Sequence, residues 1–198
     1  MSSHESARPW TAAATVYHNI GGILYARGDF ATAEGPARKA RKISCQLLGE
    51  DAPRTMLDAT AYAGILERAY GPEHHEVAAT LHNLAAVQAV LCQPEAAENH
   101  YRRALTIKEK LLDAENPDVA LTRNNLGKLL TDLGRPAEAV PLLEAAVAVF
   151  AKRLPASHPH LATTRENLRN AIGPGNDMSR PLKPSIPFEP VRPSLSLH

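Results

Sequence analysis

Apolar residues recur along this chain at helical spacing, as in Val77, Leu81, Leu84, Val87 and Leu91, and again in Val119, Leu126, Leu130 and Leu133. Each set predicts one amphipathic helix. The segments "HHEVAATLHNLAAV" from His74, "NPDVALTRNNLGKL" from Asn116 and "HPHLATTRENLRNA" from His158 superpose without a gap, so the pattern is a repeat with a 42-residue period. Asn83, Asn125 and Asn167 share one column of it, and Asn19 joins them 64 residues before Asn83. A second register follows, with Ala33, Ala97 and Ala139 in one column and Ala40, Ala104 and Ala146 in another. Two registers predict two helices per unit. Gly21, Ala85 and Gly127 lie on the first-helix stripe, where the lack of a large side chain lets the second helix approach closely.

Punctuation agrees with helical hairpins: Gly28 and Gly134 follow first helices, and Pro53, Pro117 and Pro159 stand at helix entries. One unit is short. From "GEDAP" at Gly49 to "GPEHH" at Gly71 the spacing is only 22 residues, so residues Arg54 to Tyr70 serve both as the opening of a first helix and as the closing of a second. We expect one continuous helix from about Pro53 to Tyr70, unless Gly64 kinks it. A lost helix reverses the parity of an alternating antiparallel array. The expected division is therefore an N-terminal three-helix group and a C-terminal group from His75 onward.

The segments "NLAAVQAVLCQPEAAENHYRRALTIKEKLL" from Asn83 and "NLGKLLTDLGRPAEAVPLLEAAVAVF" from Asn125 resemble tetratricopeptide repeats. The 42-residue spacing, with "HPHLA" at His158, "NPDVA" at Asn116 and "HHEVA" at His74, resembles the kinesin light chain-like subtype. The resemblance covers about residues 11–172 and implies an all-α, right-handed helical-hairpin solenoid. Its units fall at 11–52, a truncated 53–74, 75–116 and 117–158, with a capping helix at 159–172.

By the same resemblance, first helices line a concave face, and Asn19, Asn83, Asn125 and Asn167 match the family's groove asparagine. His82 and Asn124 accompany them, and Lys128 adds a cation, with Arg123 and Arg165 nearby, that could attract a peptide carboxylate. An asparagine offers both donor and acceptor, which an extended peptide backbone needs. The alternative is that each amide bonds the adjacent helix and sets its packing. Ala61 stands in the asparagine column of the truncated unit. The function implied is a non-catalytic protein-interaction scaffold binding a peptide segment. The alternatives are an adaptor or sensor fragment of a larger signalling protein with a nucleotide-binding switch, and a self-assembly module.

Composition changes this picture little. Of 198 residues 44% are hydrophobic and only 5% aromatic, which suits helix packing on alanine and leucine. A formal net charge of +1 gives no field to hold nucleic acid. Cys45 and Cys92 form no disulfide framework, and no apolar stretch is long enough for a membrane span, so a cytoplasmic location is expected.

His74 and His75 invite a metal reading, but the second histidine of an H-E-x-x-H helix would have to stand at Ala79. His74 belongs instead to the inter-repeat turn. No phosphate loop or nucleophile motif is present, so no catalytic residue, metal or cofactor is assigned. Residues 1–10 are expected to be disordered, with Trp10 covering the end of the first helix. Residues 173–198 are expected to form a disordered tail in which Pro181, Pro184, Pro187, Pro190 and Pro193 recur every third residue. Such a tail could fold back onto the groove.

Overall fold

The computed structural model describes the backbone of residues 3–49 and 52–173, with side chains from residue 12 onward. It consists of α1 (Ser3–Ala26), α2 (Phe30–Leu48), α3 (Pro53–Tyr70), α4 (His75–Val90), α5 (Pro94–Leu111), α6 (Pro117–Asp132), α7 (Pro136–Arg153) and α8 (Pro159–Ile172). Among the described residues there is no strand. The chain is all-α, as the periodicity requires.

The truncated unit is a single helix. α3 runs without interruption from Pro53 to Tyr70, and a Cβ placed at Gly64 would meet nothing within 4 Å, so that glycine marks open space and not a kink. α1 begins at Ser3, inside the 1–10 stretch expected to be disordered; Glu5, Ala7 and Arg8 there are good helix formers. The expectations for Trp10's side chain and for the proline-rich tail fall outside the described residues.

The chain divides into two compact units, residues 1–87 and 88–198. The division lies within α4, after Val87. In the first unit α1 packs on α2, α2 on α3, and α1 also touches α3. In the second α5 packs on α6, α6 on α7, and α7 on α8, while α6 also touches α8.

Close packing depends on the small-residue columns. Ala33, Ala97, Ala139, Ala40, Ala104 and Ala146 are each at most 1% exposed. A Cβ at Gly127 would lie 2.6 Å from Leu143 Cγ, so α6 can approach α7 only with glycine at that position. The α6–α8 side is filled by Ala120, Ala146, Val149, Phe150 and Leu161.

Turns are built alike. In the first, fourth and sixth helices the C-terminus closes with a backbone N–H reaching five residues back: Asp29 to Leu24, Gln93 to Gln88 and Arg135 to Leu130. The preceding residue needs a left-handed conformation, supplied by Gly28 (φ 78°) and Gly134 (φ 72°). Cys92 adopts it at φ 55°, the only described residue other than glycine with a positive φ.

Candidate functional site

The predicted site residues fall on the first-helix faces of α1, α4, α6 and α8, but their environments differ. Within the second unit Asn167 Nδ2 donates to Asn124 Oδ1 at 3.0 Å, and Asn124 Nδ2 donates to Asn125 Oδ1 at 3.1 Å. Asn125 also hydrogen-bonds the side chain of Tyr101, whose hydroxyl burial pushes well above its ordinary pKa. A continuous amide chain thus links α5, α6 and α8. Asn124 and Asn167 are buried, so two of the proposed ligand contacts serve packing between helices.

Other members differ again. His82 is completely buried, whereas Glu166, in the same column on α8, is exposed. Asn19 is exposed and Asn83 half-buried. The Oδ1 of Asn83 is buried without a hydrogen-bond partner. Lys128 Nζ lies 2.5 Å from Asp132 Oδ2, one turn along its own helix, and Arg123 bonds Glu109 at 2.9 Å. Both cations already have a carboxylate partner.

The inter-repeat histidine has a capping role. His74 Nδ1 accepts from the Glu76 N–H at 3.2 Å, His158 Nδ1 accepts from His160 N–H at 3.2 Å, and Asn116 Oδ1 accepts from Asp118 N–H at 2.8 Å. All three side chains satisfy a donor at a helix entry. Burial, reinforced by His75, holds the His74 imidazole below its usual pKa, which suits a nitrogen that accepts.

A polar cluster in the first unit was not anticipated. The Asp58 side chain is fully buried; its Oδ1 bonds His18 Nδ1 at 2.7 Å, and its Oδ2 accepts from Ser44 Oγ at 2.5 Å and Arg54 Nε at 3.2 Å. Asp58 occupies the register position held by Thr80, Thr122 and Thr164, and Ser44 the one held by Lys108 and Phe150. A carboxylate in a threonine column was the available signal. The fused helix hid it, because α3 can be read in two registers.

Beside this cluster lies a cavity of about 270 Å³, open to solvent, between α1, α2 and α3. His18, Asp58, Tyr25, Ala61, Gly64 and Ile65 are among its lining residues. Despite the company of serine, histidine and aspartate, there is no activated nucleophile here. Ser44 donates its proton to the carboxylate and makes no bond to the imidazole, so it lacks the base that acyl transfer requires. Among the described residues no group of three metal-ligating side chains converges.

Comparison with known proteins follows the repeat. A tetratricopeptide repeat model matches residues 13–54 and 119–160, and a second tetratricopeptide repeat model matches residues 56–110. Together they cover more than two thirds of the chain. Among solved structures, the chain is similar to a Podosopora anserina protein named as a kinesin light chain with nearly identical TPR-like repeats. The identity is 21%, with 79% of this chain and 84% of that one covered and a TM-score of 0.44. It is similar also to BtubC (BKLC) from P. vanneervenii, at 22% identity over 84% of this chain and 78% of that one, with a TM-score of 0.49. No curated protein matches.

Proposed function

This chain belongs to the tetratricopeptide repeat family, whose repeats mediate protein–protein interaction, and we propose that it is a non-catalytic cytoplasmic scaffold that docks an extended peptide on its first-helix faces. The observation that carries this reading is that Asn19 is exposed and Asn83 half-buried on the first helices of one unit, so part of each amide side chain is open to a ligand backbone. Asn19 and Asn125, less buried than Asn124 and Asn167, extend the same column. Lys128 enters the contact only by exchanging Asp132 for a carboxylate of the ligand.

Two substitutions test the reading. Asn83→Ala removes an acceptor that bonds nothing in the free chain, so peptides selected on the wild type from a random display library should lose affinity while the melting temperature holds. Asn125→Ala breaks the amide chain to Asn124 and Tyr101 and should cost about 1–2 kcal/mol of stability. If Asn83→Ala binds the selected peptides as tightly as the wild type, the docking reading fails.

A second reading, self-assembly, is favoured by the exposed stripe of Val16 (54%), Ile20 (38%) and Ile23 (54%) on α1. The register equivalents on α6, Thr122, Leu126 and Leu129, are all buried. Light scattering against concentration, for the wild type and Ile20→Glu, distinguishes a dimer through α1 from a monomer. Among the described residues no helix is long and apolar enough to cross a membrane.

A further inference from the structure

We infer that the cavity between α1, α2 and α3 is a binding site for a small neutral molecule with an apolar ring and one hydroxyl group. Its volume, about 270 Å³, lies just below the range of roughly 300–1,000 Å³ typical of drug-sized ligand sites. One ring fits within it. The walls contributed by Tyr25, Ala37, Ala40 and Ile65 are apolar or aromatic, so the body of the ligand is apolar as well.

The polar part of the ligand follows from hydrogen-bond accounting. Both oxygens of Asp58 are engaged, by His18, Ser44 and Arg54, so the carboxylate has no strong claim on a further donor. Because Asp58 accepts, His18 Nδ1 carries the proton, and in a neutral imidazole Nε2 is then an acceptor. The matching ligand group is a hydrogen-bond donor, which a hydroxyl supplies without charge; Arg54 Nη2, buried without a partner, is not among the cavity's lining residues. Arg54 already balances the buried carboxylate, so the cluster offers no surplus negative charge to draw a cation.

The cavity arises where this unit departs from the repeat. Asparagine fills the column at Asn19, Asn83, Asn125 and Asn167, and Ala61 vacates it; Gly64 stands where α6 carries Lys128. A Cβ at either Gly22 or Gly64 would meet nothing within 4 Å. A hollow with convergent polar groups beside a fully buried carboxylate is the arrangement expected of a ligand site. The inference does not rest on peptide docking, since none of Asn19, Asn83, Asn125 and Asn167 lines the cavity.

Phenol is the probe, and anisole, of similar shape without the O–H, is its control. Ligand-observed NMR titration of the full chain should show saturable phenol binding, with anisole about fivefold weaker for the lost hydrogen bond. Gly64→Leu should fill the cavity while replacing a mid-helix glycine, so the variant stays folded by circular dichroism and loses phenol binding. Ala61→Leu serves the same purpose should Gly64→Leu fail to fold. Absence of saturable phenol binding, equal affinity for anisole, or undiminished binding to a folded filled variant would each overturn the assignment.

Discussion

The α2–α3 and α5–α6 interfaces occupy the same register of the repeat, yet one is built around a carboxylate and the other around an ammonium group. In the first, Ser44 reaches Asp58; fourteen residues apart in the same way, Lys108 Nζ donates to Thr122 Oγ1 at 3.0 Å in the second. At α7–α8 the corresponding place is taken by Phe150, which stacks on His160. Helix packing therefore tolerates three chemistries at one position, provided the small alanines beside it hold the backbones at a fixed distance. What separates the interfaces is the number of partners. Asp58 has three, whereas Lys108, buried and held below its ordinary pKa by desolvation despite Asp118, has a hydroxyl and a carbonyl.

Breaking each interface should expose that difference. Arg54→Met leaves the fully buried Asp58 without its guanidinium and should cost about 3 kcal/mol in urea denaturation at neutral pH. Lys108→Met should be neutral or stabilising by about 1 kcal/mol, because an apolar stem replaces a buried charge and Thr122 still donates to the Asp118 carbonyl at 2.9 Å. Equal losses would refute the contrast.

The connections can be compared in the same spirit. Cys92→Gly should raise stability by about 1 kcal/mol, measured as a higher melting temperature, because glycine adopts the positive φ that Gly28 and Gly134 already have. The smallest effect concerns the caps. His74 has a folded pKa below the unfolded value of about 6.5, so the unfolded chain binds more protons and stability falls as pH drops below that value. His75, Glu76 and Glu34 are the charged neighbours that modulate it. Replacing His74 with asparagine, the residue used at Asn116, should flatten that part of the pH–stability profile.

Much of the fold was legible because a repeat reports each helix several times over. The alanine columns, the glycine turns and the bounds of α3 all follow from register. The site was less legible, since register says which residues are equivalent and not how many partners each has. Asn124, Asn125 and Asn167 read as a displayed ladder, but a polar group inside a helix layer must be satisfied, and these amides satisfy one another. His82 shares a column with His18, which is only part-buried, so column membership alone could not separate a surface histidine from an interior one. Asp58 escaped notice because its significance depends on aligning α3 with first helices only.

The position of the boundary inside α4 has a practical consequence for dissecting the molecule. A cut at the turn before His75, or at the turn after Val90, keeps α4 whole but moves residues of one unit into the fragment that carries the other. A fragment that has lost residues of its unit in this way and unfolds reports that loss and not an intrinsically unstable unit.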